Sequence, residues 1–151
     1  MNMKTVPEVD IDRFMGVWYE IARFPHRFEK NLVGVTATYE KSADGKISVL
    51  NQGYKNTLNG KHKKARGKAR IPDLSQPGKL QVAFFLWFWG DYWILELDKD
   101  YQYVLVGSST PNYLWIMSRA PQLDDKIYNE LMNTAHDLGY DVSKLEMVLQ
   151  K

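Results

Sequence analysis

The 151 residues contain no cysteine. That absence excludes a disulfide scaffold, thiolate zinc sites, iron–sulfur ligation and a cysteine nucleophile. It also removes the thiol on which an N-terminal lipid anchor is built. Long apolar runs are missing as well: none approaches the ~18–20 residues of a membrane span, and Met1-Asn2-Met3-Lys4 is followed by no signal-peptide core. The expectation from the sequence as it stands is a soluble, unanchored chain. Histidine is scarce; His26, His62 and His136 fall in a loop, a basic turn and a helix, and nothing in the pattern converges them on a metal or a triad. The nucleophile-elbow, H-E-x-x-H, P-loop and G-x-G-x-x-G signatures are all absent. Asp98 and Asp100 form a carboxylate pair only within a turn, where side-chain bonds to backbone account for them. No cofactor and no metal are expected.

Aromatic residues, by contrast, are plentiful, with 9 Tyr, 6 Phe and 5 Trp. A chain of this size buries roughly 68–70% of its unfolded surface, enough for one domain over residues 1–151 without covalent staples. Charge is balanced in total, with 20 Lys+Arg against 18 Asp+Glu, and uneven along the chain. Between Gly45 and Pro72 stand Lys46, Lys55, Lys61, Lys63, Lys64, Arg66, Lys68 and Arg70 with no acid. Between Pro121 and Asp141, Asp124, Asp125, Glu130, Asp137 and Asp141 face Lys126 alone. The pattern predicts one basic and one acidic face.

Most of the chain alternates with period 2 in short runs at about 16–24, 33–41, 45–54, 63–71, 79–86, 91–97, 101–108 and 113–119. Turn chemistry separates them at Ala43-Asp44-Gly45, Asn59-Gly60, Gln76-Pro77-Gly78, Gly90-Asp91, Asp98-Lys99-Asp100 and Thr110-Pro111-Asn112. Such short links favour antiparallel, up-and-down neighbours. Asp10 caps a short helical turn through Ile11, Phe14 and Met15. After Pro121 the period becomes helical, with Leu123, Ile127, Leu131, Ala135 and Leu138 on one stripe, acids in the first turn and Gly139 at the end. Leu145, Met147 and Leu149 make a ninth short run that pairs with an edge.

Eight antiparallel strands hide their edges by closing into a barrel or splitting into a sandwich. The fourth run alternates Lys64, Arg66, Lys68 and Arg70 with Ala65, Gly67, Ala69 and Ile71, while other runs carry Phe84, Tyr113 and Trp115. Small and aromatic residues sharing the inner faces favour closure, and eight strands leave an interior wide enough for side chains or one small ligand. The fold expected is all-β: an eight-stranded up-and-down barrel with one helix on its side and a short ninth strand.

Gly16-Val17-Trp18-Tyr19-Glu20 in the first run, Asp98-Lys99-Asp100-Tyr101 between the sixth and seventh, and Arg119 at the end of the eighth resemble the three signature segments of the lipocalins, in order and at suitable separations. The longer stretches Trp18–Phe24, His26-Arg27-Phe28-Glu29, Tyr113–Arg119 and Tyr140–Lys144 look like the bacterial lipocalin subgroup, related to apolipoprotein D and plant temperature-induced lipocalins. The resemblance covers roughly residues 8–149 and implies a cup, closed at one end, that binds a hydrophobic ligand through its open mouth. It also implies that Gly16, Trp18 and Arg119 are structural, with Trp18 and Arg119 stacked at the closed end.

Taking Trp18 as inward, strand parity assigns the ligand-facing lining: Glu20, Ala22 and Phe24; Val35, Ala37 and Tyr39; Val49 and Asn51; Ala69; Val82 and Phe84; Tyr92 and Ile94; Val104 and Val106; Tyr113, Trp115 and Met117. This mostly apolar face suits an acyl chain, and the expected function is non-catalytic binding, transport or storage of a fatty acid or lysophospholipid in cell-envelope lipid maintenance. Glu20 is the exception, since an acid inside an apolar cup needs a partner or a proton. It motivates the alternative of an enzyme with Glu20 as acid or base on a lipophilic substrate. The run Phe84-Phe85-Leu86-Trp87-Phe88-Trp89 reads as a hydrophobic lip, a membrane patch or a dimer interface, and the aromatic lip supports a third functional reading, a surface adaptor. The resemblance implies a homodimer. The basic fourth run reads first as a solvated face, then as a lipid-contacting one, with nucleic acid not expected as a partner. Relatives anchored to the outer membrane through a lipidated Cys imply a periplasmic or outer-membrane location for a processed chain; the missing Cys implies an unanchored one, and removes the disulfide several relatives carry.

Overall fold

The computed structural model describes residues 4–85 and 88–151, less the side chains of Phe28, Phe85 and Phe88. Alternating sequence becomes antiparallel strands β1 (Gly16–Arg23), β2 (Leu32–Lys41), β3 (Ile47–Lys55), β4 (His62–Arg70), β5 (Lys79–Phe85), β6 (Phe88–Leu97), β7 (Tyr103–Gly107) and β8 (Leu114–Ser118). Each pairs with its sequence neighbour, and β1 pairs with both β2 and β8, so the sheet closes on itself. One helix, α1 (Ile11–Phe14), precedes the barrel, with the Asp10 side chain accepting from the N–H groups of Asp12 and Arg13. The other, α2 (Asp125–Asp137), is capped by Asp124 and ends at Gly139 with φ +102°. It lays Leu131 and Ala135 on the outer wall against Ile116, Leu105 and Leu95. No described helix is long and apolar enough to cross a membrane.

A ninth strand, β9 (Glu146–Met147), pairs with Ala22 and Arg23 where β1 has parted from β2. The chain beyond it fills that seam: the Val148 N–H donates to Ile21, the Gly34 N–H donates to Leu149, and the Gln150 side-chain amide donates to the carbonyls of Glu20 and Val35. Backbone groups that closure would leave orphaned are thereby satisfied.

One expected turn is placed differently. Gly90 and Asp91 lie inside β6, paired with Val82 and Gln81, and residues 86–87 lie outside the described residues. The aromatic run is therefore divided between two strands. Gly and Asp are turn formers by local chemistry, but here ladder pairing to β5 overrides it.

Candidate functional site

The closed end is built from short-range chemistry. Phe14 on α1 plugs the barrel with its ring 5.0 Å from Trp18 and 5.7 Å from Tyr39, and its carbonyl accepts from the Trp18 indole N–H at 2.9 Å. The Arg119 guanidinium carbon lies 3.9 Å from the Trp18 ring centroid. Its nitrogens donate to the carbonyls of Val17, Arg13 and Tyr101. Gly16 has φ +100°, and a Cβ there would meet Arg119 at 3.3 Å, so a side chain would be strained on both counts. Trp18 is fully buried, and together with Arg119 it forms a sealed floor.

Above the floor, Ala37, Tyr39, Val49, Ala69, Ile94, Val104, Val106 and Met117 pack into one buried cluster with Trp18, edged by the partly buried Val82, Tyr92 and Trp115. The Tyr39 hydroxyl donates to that of Tyr92 at 2.9 Å, and burial raises the pKa of both phenols, so each remains a neutral hydrogen-bonding group. Val35 is buried beside Gly53. Phe14, Ile47 and Leu80 also belong to this cluster.

Toward the mouth the inner face thins. Asn51 stands between Ala37 and Ala65 across the ladders and is partly exposed. Ala65 is exposed although it shares the inward face with Gly67 and Ala69. Phe84, 37% exposed, lies over Gly67, where a Cβ would sit 2.8 Å from the Phe84 ring. An inward residue that meets solvent marks an interior open at that level.

Ala22 and Phe24 do not line the interior. A bulge between Glu20 and Ala22 shifts the register against β8, so Glu20 opposes Met117 whereas Ala22 opposes Ile116 and Arg23 opposes Trp115. The extra residue reverses the faces beyond it. Ala22 and Phe24 therefore pack outside the wall with α2, Phe24 edge-on to Tyr140 at 5.9 Å.

The same bulge turns Arg23 inward and builds a buried ionic network. Arg23 donates to Glu20 at 3.5 Å, to Glu29 at 3.1 Å, to Glu146 at 3.2 Å and to the Leu32 carbonyl at 2.9 Å. Glu29, on the single 3-10 turn Arg27–Glu29, also accepts from the Trp115 indole at 3.1 Å and pairs with His26 at 2.8 Å. His26 sits edge-on to Tyr113 and Trp115, which stack at 5.8 Å. Burial, reinforced by the Glu29 charge, drives the Glu20 pKa well above the usual range despite Arg23. Burial also opposes ionisation of Glu29, but hydrogen bonds from His26 and Glu20 and the charges of His26 and Arg23 prevail and hold it at about 2. Burial thus favours the protonated form of Glu20, and the donors around Glu29 favour its ionised form. Arg23 is absent from the parity lining because the bulge reverses its face, and His26 and Glu29 because they follow β1 outside any strand.

Of the aromatic run, Trp87 lies outside the described residues. Trp89 lies on the outer wall under Arg70. Two surface clefts, one lined by Lys4–Pro7 with Ser75–Pro77 and Lys79, the other between the start of α2 and the C-terminal segment, share no residue with the inward face above.

Residues 9–150 match the model of a lipocalin-like domain. The chain is 42% identical over 149 residues to the outer membrane lipoprotein Blc of Escherichia coli K12, covering 99% of this chain and 84% of that protein. It is 41% identical over 158 residues to temperature-induced lipocalin-1 of Arabidopsis thaliana, covering 99% and 83%. Among solved structures, insecticyanin from the tobacco hornworm Manduca sexta superposes with a TM-score of 0.81 at 24% identity, covering 100% of this chain and 86% of that one.

Proposed function

Because this chain belongs to the lipocalins, a family that binds small hydrophobic ligands, we propose that it holds a fatty acid or lysophospholipid inside the barrel, tail down toward Phe14 and Trp18. The observation that carries this reading is the exposed, inward-facing Ala65 above a sealed aromatic floor. Burying a dozen methylenes at ~0.8 kcal/mol each supplies on the order of 10 kcal/mol; against an association cost at the low end of ~4–15 kcal/mol this leaves about 6 kcal/mol, an affinity of tens of micromolar. In this reading the lining comprises Val35, Ala37, Tyr39, Val49, Asn51, Ala69, Val82, Phe84, Tyr92, Ile94, Val104, Val106, Tyr113, Trp115 and Met117. Glu20 contributes to the wall. Its commitment to Arg23 and Glu29 supports a positioning role over that of an acid or base in catalysis.

Similarity to an outer membrane lipoprotein supports a role in carrying or storing lipid at the cell envelope. The exposed Phe84 supports self-association near the mouth, checked by sedimentation of Phe84→Ser. Native mass spectrometry of copurified lipid and titration with a fluorescent fatty acid test the central claim. Ala65→Trp, which fills the open level of the inner face, is expected to weaken fatty-acid binding at least tenfold while the fold persists. Saturable binding that is unchanged in this variant would refute the interior as the site.

A further inference from the structure

The basic stripe of β4 belongs to the outer wall, and its neighbours leave it uncompensated. Lys64, Arg66, Lys68 and Arg70 are all exposed. Across the ladders they meet only Gln52, Leu50 and Ser48 on β3 and Ala83 and Gln81 on β5. Among the described residues, ion pairs involve Arg23, His26, Lys41, Lys46 and His136 and none of these four. Cations on alternate strand residues stand roughly 7 Å apart. At that spacing they repel one another, and a surface of opposite charge relieves the repulsion.

Trp89 adds an aromatic element from a different strand. Its ring centroid lies 3.8 Å from the Arg70 guanidinium carbon and 5.4 Å from the Lys68 ammonium. On the same wall, the Lys79 ammonium lies 4.6 Å from the ring of its ladder partner Trp93. Indoles flanked by Lys and Arg combine an interfacial aromatic with head-group cations. Phe84, on the adjoining strand, brings the partly exposed edge of the mouth beside this face.

We infer that the outer face of β4, with Trp89, docks the protein on an anionic phospholipid bilayer and sets the mouth beside the membrane. The purpose rests on the lipid-binding reading above; the docking does not. Nucleic acid fits less well, because single-strand binders offer open rings to successive bases, whereas the Trp89 face is already occupied by Arg70.

Vesicle co-sedimentation of the full chain tests this, using phosphatidylcholine with and without phosphatidylglycerol. Binding is expected only to the anionic vesicles and is expected to vanish near ~1 M salt, where the screening length falls to about 3 Å. Each neutralised cation is expected to cost about fivefold in affinity. The combined variant Lys64→Gln, Lys68→Gln, Arg70→Gln should therefore lose about a hundredfold. A charge-matched variant, Lys99→Gln, Lys126→Gln, Lys144→Gln, alters exposed residues elsewhere and should bind nearly as the parent does. Equal binding to neutral vesicles, retention by the first variant, equal loss by the second, or displacement from vesicles by a single-stranded oligonucleotide at lower concentration would each overturn the assignment. Fatty-acid titration of the same proteins separates the two readings. A parent that binds anionic vesicles but no fatty acid refutes the cargo and leaves the docking face standing.

Discussion

Replacing Glu20 and Glu29 in turn by glutamine tests whether the wall above the barrel floor is held by one charge or two. Both side chains are buried, and both lie within bonding distance of the same Arg23 amine. They differ in protonation: burial raises Glu20, while the donors around Glu29 outweigh its burial and hold it at about 2, against an ordinary value of 4.5. A displacement of that size corresponds to about 3 kcal/mol at ~1.36 kcal/mol per unit. It agrees with the cost of about 3–5 kcal/mol for breaking a buried ion pair from one side.

Glu29→Gln should therefore destabilise the fold by about 3 kcal/mol at neutral pH, because Arg23, His26 and Trp115 lose their shared acceptor charge. Glu29 has a lowered pKa, so its contribution is present above the unfolded value and is lost as pH falls toward about 2. The gap between parent and variant should close over that interval. Glu20 has a raised pKa, so its contribution is full below the unfolded value and is lost as pH rises through the folded one. Glu20→Gln, which resembles the protonated acid, should stay within about 1 kcal/mol of the parent where Glu20 holds its proton, and gain on it at higher pH. Urea unfolding followed by far-ultraviolet circular dichroism, from about pH 2 to about pH 9, reads both curves. Equal losses for the two variants at every pH, or a neutral Glu29→Gln, would refute the opposite shifts of the two carboxyls.

Gly107→Ala should lower stability by about 1–3 kcal/mol in the same assay, since a Cβ there would sit 2.2 Å from the Tyr140 hydroxyl. Tyr140→Phe should recover part of that loss by removing the clashing oxygen, and a strictly additive pair would contradict the geometry. Arg119→Gln removes the contact with Trp18 and charged donation to three carbonyls, at a cost of about 2–3 kcal/mol. Its fatty-acid affinity should fall less than that of Ala65→Trp, because Phe14 still plugs the floor below the ligand.

The alternation of β1 to β8, the capped turn of α1 and the helical stripe of α2 were readable because each is set within one segment. The contact of Trp18 with Arg119 followed from the family resemblance, and the geometry places the two in contact. Parity failed at Ala22 and Phe24, where a single extra residue exchanged the faces of β1. No local signal marks that bulge: it depends on β8 on one side and on β9, more than a hundred residues away, on the other. The turn expected at Gly90-Asp91 failed for a similar reason, since pairing with Val82 and Gln81 decided the local conformation. Arg23, Glu29, Trp115 and Glu146 are scattered along the chain, and only closure of the barrel gathers them. Trp89 likewise lies far in sequence from the cations that flank it.

The misread stretch of β1 also explains how a cup can keep a firm wall around open space. A side chain is ordinarily held by filling the volume around it, but a filled interior leaves no room for a ligand. At the floor this protein uses packing, with the Phe14 ring against Trp18, Tyr39 and Tyr92, and Tyr39 against Tyr92. Higher up, Ala65 and Gly67 leave the opposite side of the interior thin. There Trp115 and Tyr113 are held by polar neighbours: the indole donates to Glu29 and stacks on Tyr113, Glu29 is fixed by Arg23 and His26, and Arg23 is tied to β9 through Glu146. Directional bonds to buried charges restrain a ring in orientation as well as position. In the proposed binding role, the ionic network replaces the packing that an open interior forgoes, and the bulge that reverses Arg23 makes that replacement available.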